Sequence, residues 1–539
     1  MAITSTPVAV MKPGVENYLK PLQIDVAEAH ALSREFYQTF KQLAAESMNQ
    51  FLPTPISESI LRPADGRVTG RHLAIDFGGT NLRAGFVELF GDEKISETNG
   101  LGANPKTSDS QPSPRLRRVL EKSWPIEEHL KNENADSLFR WVGSRIAEVV
   151  REGCNAFDLP RDHPLPMGVT FSFPMKQETL ADAFIMSMGK GYAITSSLDL
   201  VEHLINGYES SKSSDLPPIE IAAILNDAVA TLVSFIYQSR EDEHRKAAMG
   251  LICGTGSNAT VPLRRSDLHK DKQPGKVKVM EKDSTDHIKI AVNTEWSIYG
   301  TAAPLRKFGL INKWDAALDA SLDAEGHVPG FQPLEYMTAG RYLGELGRLM
   351  LVDYLENHLN IPQDNFPAQL LVHFGLTTTF LSHFRPLDTA TLVQKLEAEF
   401  PQSTAKAPFQ WTEEIAEVLY DFAQAIEYRA AAIIAAATIG LLECAGDIPT
   451  QQPLHNRTNN GSGAPEQGPK VDLIVGYTGG CIVHFQDYLA DCQDLLDAII
   501  EAEFGENGPV RVVLSPCHDG GITGAGILCG AAQAKSKDV

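Results

Sequence analysis

No run of about eighteen consecutive apolar residues, the length a membrane-crossing helix needs, occurs in the 539-residue chain. The opening string MAITSTPVAVMKPG has no basic region leading into an apolar core. The reading is therefore of a protein neither secreted nor inserted in a membrane, with the cytoplasm as its expected compartment. Cysteine is sparse and scattered: Cys154, Cys253, Cys444, Cys481, Cys492, Cys517 and Cys529 are odd in number and never spaced Cys-x-x-Cys. That pattern excludes a disulfide framework and a zinc site of ordinary spacing. Basic residues are in deficit, 47 against 69 acids for a net charge of −22. Nothing in that balance draws the chain to nucleic acid or to an anionic membrane, so any anionic ligand must be held locally, by backbone amides and helix N-termini. Two further absences matter. No Gly-x-x-x-x-Gly-Lys-Ser/Thr string and no His-Arg-Asp loop is present, which disfavours a P-loop NTPase and a protein kinase.

What is present reads as globular, with 43% hydrophobic and 22% charged residues, in a chain too long for one ordinary core. Two domains are expected. Residues 1–15 read as a loose tail, followed by a helix to about Asn49 with Leu32, Phe36, Phe40 and Leu43 at helical spacing. A link broken by proline and glycine runs from Phe51 to Arg71. Strand-like runs (HLAIDFGG, LPMGVTFSF, IEIAAIL, AAMGLICGTG, VDLIVGYTGG) then alternate with helical ones (SLFRWVGSRIAEVV and the run from Glu413 to Glu443), the pattern of an α/β fold. Asp92–Pro114, Arg264–His287 and Gln451–Lys470 read as solvated surface insertions without assigned chemistry.

Glycine-rich turns follow several of the strands. In Asp76-Phe77-Gly78-Gly79-Thr80-Asn81-Leu82-Arg83 the paired glycines let backbone N–H groups approach a phosphate, Thr80 adds a hydroxyl, and Asp76 can orient Mg²⁺ through water. Gly254-Thr255-Gly256-Ser257-Asn258-Ala259 is a second such turn after Met249–Cys253, and the pair suggests a duplicated nucleotide-binding architecture. Gly476-Tyr477-Thr478-Gly479-Gly480 and the run from Asp519 to Gly526 are two more candidates, equally readable as small residues permitting close helix packing.

Sugars are held by planar carboxylates and amides that bridge neighbouring hydroxyls. Asn226-Asp227 follows the strand-like run Ile221–Leu225, and Asn293-Thr294-Glu295-Trp296 follows Ile288–Val292. Strand C-terminal ends face the ligand crevice in α/β folds. Each acid taken singly also reads as a helix cap. A carboxylate near an acceptor hydroxyl, phosphate-positioning turns and Mg²⁺ are sufficient for phosphoryl transfer.

Taken in order, these motifs resemble the hexokinase family from about Leu22 to Ala532. IDFGGTNLRAG looks like its first phosphate loop, TFSFPMKQ its sugar-binding segment, and ILNDAVATL the segment carrying its catalytic Asp. GLICGTGSNA looks like the second phosphate loop, NTEW the sugar-binding Glu, and LEYMTAGRYLGELGRL a helix start that places Glu335 on the sugar. The resemblance implies an actin-like (ribonuclease H-like) duplicated α/β fold whose two lobes close over sugar and MgATP, and transfer to a sugar 6-hydroxyl. It implies a flexible tail at 1–20, a small lobe of 71–222 plus 519–539, and a large lobe of 21–70 plus 223–518 carrying the insertion 451–470. Asp227 would be the catalytic base. Ser172, Phe173, Lys190, Asn226, Asp227, Asn258, Glu295 and Glu335 would hold the sugar. Asp76, Gly78, Gly79, Thr80, Asn81, Arg83, Gly254, Thr255, Gly479 and Gly480 would serve ATP, with Mg²⁺ on Asp76 through water. The expected partners are a small sugar and MgATP, with no nucleic acid and no membrane, in a monomer or homodimer.

The chain departs from the family pattern in places. The family's Trp-Thr-Lys-Gly-Phe loop reads Met188-Gly189-Lys190-Gly191-Tyr192, which loses a hydroxyl and gains room. N-acetylglucosamine is therefore an alternative substrate. The family's Asp-Gly-Ser becomes Thr478-Gly479-Gly480, and its later Asp-Gly-Ser-Gly becomes Asp519-Gly520-Gly521-Ile522, so two serine hydroxyls that would serve the nucleotide are gone. Weaker or altered nucleotide binding is expected, and a sugar-responsive regulator with little turnover is the alternative from another functional class.

Overall fold

The computed structural model describes residues 13–61, 68–90, 115–132, 134–186, 192, 194, 197–239, 244–280, 287–322, 328–384, 387–401, 409–450, 470–533 and 536–538. Its strands are β1 (Leu52–Ser57), β2 (Gly70–Phe77), β3 (Asn81–Leu89), β4 (Leu116–Pro125), β5 (Leu165–Phe171), a short trio β6 (Met175–Lys176), β7 (Phe184–Ile185) and β8 (Leu198–Asp199), β9 (Ile219–Leu225), β10 (Arg245–Cys253), β11 (Ser257–Arg264), β12 (Lys278–Met280), β13 (Lys289–Asn293), β14 (Val471–Thr478), β15 (Val510–Pro516) and β16 (Ser536–Asp538). Five of them form one sheet in the order β4-β3-β2-β5-β9, and eight form another in the order β15-β14-β10-β11-β13-β1-β12-β16.

The two sheets repeat one design. In the smaller, β2 turns tightly into antiparallel β3, β3 pairs antiparallel with β4, and β2, β5 and β9 run parallel. In the larger, β10 turns tightly into antiparallel β11, β11 pairs antiparallel with β13, and β10, β14 and β15 run parallel. A helix follows the last parallel strand of each set: Asp227–Gln238 after β9 and Gly520–Gln533 after β15. The parallel strands are near-continuous apolar runs because helices cover both faces. The sequence-based expectation of an α/β fold holds, and the duplication is explicit in the topology.

The two helices pack against each other at the centre. Asp227–Gln238 lies on β10 and β11, and Gly520–Gln533 lies on β2, β3, β5 and β9. Glycine makes this contact possible. A Cβ on Gly524 would come within 2.5 Å of Ala230 O, and one on Gly168 within 2.0 Å of Ala525 O, distances that real Cβ atoms do not adopt. In the larger lobe the helix Glu413–Cys444 is apolar nearly all round because it is enclosed, packing on Val26–Glu46 and on Tyr488–Phe504.

Three boundary expectations change. The tail expected over 1–20 is already structured at Pro13–Leu19, where Val15, Tyr18 and Leu19 are buried. The Tyr18 hydroxyl donates to Asp353 Oδ2 at 2.6 Å and lies 2.8 Å from Met350 O, which ties this helix down. The insertion expected over Arg264–His287 is packed through residue 280. Leu268, Val277 and Val279 are buried, β12 joins the larger sheet, and Lys272 Nζ donates to Ser47 O and Gln50 O, both at 2.8 Å. The residues 519–539 expected in the small lobe divide, because the helix Gly520–Gln533 lies on the smaller sheet while β16 pairs antiparallel with β12 of the larger. Asp92–Pro114 and 451–469 lie outside the described residues. All seven cysteines are free thiols, and all but Cys444 are buried.

Candidate functional site

On the small-lobe side, the β2–β3 turn is closed by Gly78 N–H donating to Asn81 O at 2.9 Å, leaving Thr80 and Asn81 exposed at its tip. Asn81 Nδ2 donates to Thr80 Oγ1 at 3.1 Å. Asp76 stands one residue before the end of β2, across from Arg83 on β3 and Thr170 on β5. Burial first, then the like charges of Asp227, Glu121 and Asp519, push its carboxyl up to about 7 against the pull of Arg83. Gly521, at the start of the C-terminal helix, faces this carboxyl so closely that a Cβ there would lie 2.3 Å from Asp76 Oδ2. Thr170 Oγ1 fixes that backbone by donating to Gly521 O at 2.8 Å. Asp519, in the left-handed region at φ 53, is held by Arg83 Nη1 at 3.0 Å and Arg118 Nη2 at 2.8 Å.

Asp227 opens the helix after β9. Asn226 is its N-cap, with Oδ1 accepting from Ala228 N–H at 2.9 Å, and Asp227 Oδ1 accepts from the same N–H at 2.9 Å. The cap sets where the helix begins and so aims Asp227 from the strand end. Asp227 is half-buried, whereas Asn226 is buried. Ser172 is anchored beside β2 by its own N–H donating to Phe77 O at 3.0 Å. Phe173, expected on the sugar, turns its ring into the lobe core against Phe77, Phe171 and Tyr192. An aromatic ring in that interior gains more from burial than it would at a polar sugar, so Phe173 is a packing residue.

On the large-lobe side, Gly254 N–H donates to Gly256 O at 2.9 Å, which closes the β10–β11 turn with Thr255 exposed. Gly479, at φ 123, brings the β14 turn against it, and a Cβ there would lie 2.3 Å from Cys253 O. Gly479 and Gly480 thus meet the second turn through bare backbone. Glu335 accepts from Ser257 N–H at 3.0 Å. Asn258 Nδ2 donates to Asn293 Oδ1 at 2.9 Å, and Asn293 Nδ2 donates to Glu295 Oε1 at 2.8 Å. These two amides form a relay that orients the carboxylate.

The structure therefore gathers Asp76, Gly78 to Asn81, Arg83 and Ser172 at the smaller sheet, with Asn226 and Asp227 where β9 of that sheet runs into the helix that lies on β10 and β11 of the larger. Gly254, Thr255, Asn258, Glu295, Glu335, Gly479 and Gly480 gather on the large-lobe side. Lys190, with Met188, Gly189 and Gly191, lies outside the described residues. Arg118, which holds Asp519, escaped the sequence reading because it carries no motif. Asn293 and Gly521 are named there, one in a sugar-holding cluster and one as a lost hydroxyl, but their parts in aiming Glu295 and in admitting the Asp76 carboxyl appear only in the structure. Among the described residues no three His, Cys, Asp or Glu side chains converge as a metal cage. Asp76, with the like charges of Asp227, Glu121 and Asp519 nearby, is the carboxylate that would face Mg²⁺ through water, since that ion keeps several of its waters.

Comparison with known proteins agrees with this geometry. Two family models, each described as hexokinase, match residues 14–237 and 248–531. Hexokinase-2 of Schizosaccharomyces pombe is 27% identical over 475 residues, covering 88% of this chain and 87% of its own. The hexokinase of Schistosoma mansoni is 27% identical over 371 residues, covering 68% of this chain and 70% of its own. Among solved structures, the hexokinase from Schistosoma mansoni complexed with glucose superposes with a TM-score of 0.70 at 21% identity, over 96% of this chain and 98% of that one. A second hexokinase crystal structure gives 0.68 at 20% identity, over 96% and 98%. The shared architecture is the two-lobed, actin-like α/β fold.

Proposed function

Because the chain belongs to the hexokinase family and is of the hexose kinase type, we propose that it transfers the γ-phosphate of MgATP to the 6-hydroxyl of a glucose-like hexose, with Asp227 as general base. The observation that carries this reading is the position of Asp227: a half-buried carboxylate at the end of β9, on the helix that bridges the two sheets, close enough to Asp76 to raise its affinity for a proton.

In this mechanism Ala228 N–H holds Asp227 Oδ1, so that Oδ2 is the oxygen that accepts the sugar O6 proton as the phosphoryl group arrives. Glu295, aimed by Asn293, and Glu335, aimed by Ser257 N–H, accept hydrogen bonds from ring hydroxyls and fix the sugar. The backbone amides of the two hairpin turns bind the phosphates, and Thr80 and Thr255 stand exposed at their tips to add hydroxyls. Bound Mg²⁺ would offset phosphate charge beside Asp76, whose surplus of neighbouring acids is the environment a cation relieves. Positioning and electrostatics account for most of what phosphoryl transfer requires.

A coupled ADP-release assay with glucose, mannose and N-acetylglucosamine tests the reading. Turnover is expected with a glucose-like hexose, and Asp227→Ala should lower kcat by about 10²–10⁴-fold while sugar binding persists. Absence of turnover with every sugar would overturn it. A higher kcat/KM for N-acetylglucosamine than for glucose would move the assignment to an acetamido-sugar kinase.

A further inference from the structure

Glu295 stands at φ 45, in the left-handed region that residues with a Cβ adopt only when their surroundings hold them there. The side chain that does the holding comes from a distant part of the chain. Gln50, buried just before β1, donates through Nε2 to Glu295 O and to Ile298 O, both at 3.0 Å. Its Oε1 accepts from Gly300 N–H at 3.3 Å. All three bonds end on the backbone of the loop that carries Glu295. Gly300 has no Cβ, which would lie 2.8 Å from Gln50 Oε1.

The clamp is itself braced. Phe51 N–H donates to Thr294 O at 3.0 Å, and Lys272 Nζ donates to Gln50 O and Ser47 O. The chemistry of the site calls for an amide, because two carbonyls need donors and one N–H needs an acceptor from the same side chain. Glutamate in that place would set a carboxylate against two carbonyl oxygens. Lysine would satisfy the carbonyls but leave Gly300 N–H without its acceptor.

We infer that Gln50 is a positioning residue for the hexose: it holds the strained backbone of Glu295 so that the carboxylate meets the sugar. The role rests on the hexose-kinase reading of the site. Gln50 touches neither the nucleotide turns nor Asp227, so it acts on sugar affinity and spares ATP.

The test compares the parent protein with Gln50→Glu and Gln50→Lys, measuring kcat, KM for glucose and for ATP, melting temperature, and glucose affinity from tryptophan fluorescence. Gln50→Glu should raise the KM and dissociation constant for glucose about tenfold, with KM for ATP changing less than about twofold. Gln50→Lys, which keeps the two donors, should give a smaller rise. An unchanged glucose KM and affinity in Gln50→Glu would overturn the role, as would parallel rises in both KM values that follow a lower melting temperature. If Gln50→Glu does not fold, Gln50→Lys decides on the same criteria. Failure of the underlying function shows separately, as a parent protein without sugar turnover. In that case glucose affinity of parent and variants still decides the role of Gln50, and a parent that binds no glucose removes it.

Discussion

At Gly521 a missing hydroxyl and a missing Cβ have opposite meanings. Read as a departure from a serine, the position suggests weakened nucleotide binding. In the structure it is the gap into which the Asp76 carboxyl fits, with 2.3 Å available where a Cβ would stand. Gly521→Ser should therefore reduce activity and stability, the latter by about 1–3 kcal/mol as for other overpacked sites. Unchanged kcat/KM for ATP and an unchanged melting point would show that Asp76 has another place to go. Asn293→Ala should break the amide relay and raise the hexose KM by about tenfold, since a truncated partner leaves polar groups unsatisfied; a glucose titration of the variant checks it. The residues that touch ligands in this reading were legible because their types are unusual at strand ends. The residues that aim them were not, because a buried glutamine such as Gln50 or an arginine such as Arg118 has meaning only once distant strands are brought together.

Elements were legible where an apolar run was nearly unbroken, as in β5, β9, β10 and β14. They were missed where short segments pack by long-range pairing. The segment 264–280 looks solvated by composition, yet three of its apolar residues, Leu268, Val277 and Val279, are buried. Close helix contacts carry their own prediction. Gly168→Ala would force the Gly520–Gln533 helix away from β5, which should lower both melting temperature and turnover because that helix also carries Gly521; a variant as stable and active as the parent would refute this. Where three helices of the larger lobe meet, Glu443 lies near Glu503, which accepts from His30 and Arg34, both at 2.6 Å. Burial, then the charge of Glu503, raises the Glu443 carboxyl to about 7, against Arg34. The folded state thus holds this proton more tightly than the unfolded chain, so its contribution is present below about pH 4.5 and lost as pH rises through about 7. Glu443→Gln should melt above the parent near pH 8, by on the order of 2 kcal/mol or less after solvent screening, and together with it near pH 4.5. Equal melting points near pH 8 would refute the shift.

Across the whole molecule, the duplication couples two sheets through one helix pair, and the chain ties that pair to the larger lobe at both ends, through β15 before Gly520 and β16 after Gln533. On the proposed function, closure of the small lobe would turn about this helix pair, where Gly524 meets Ala230. Sugar should draw the lobes together, reducing the radius of gyration measured by small-angle scattering, and an unchanged value at saturating hexose would argue against closure. The enclosure of Glu413–Cys444 has a consequence for how the chain is made. One of its walls, Val26–Glu46, is synthesised early, but the other, Tyr488–Phe504, ends 60 residues after the helix does. At roughly 5–20 residues per second, a ribosome leaves that apolar face uncovered for about 3–12 seconds. During that interval the helix is a ready ligand for chaperones, and a chain cut short before Tyr488 would keep it exposed for good.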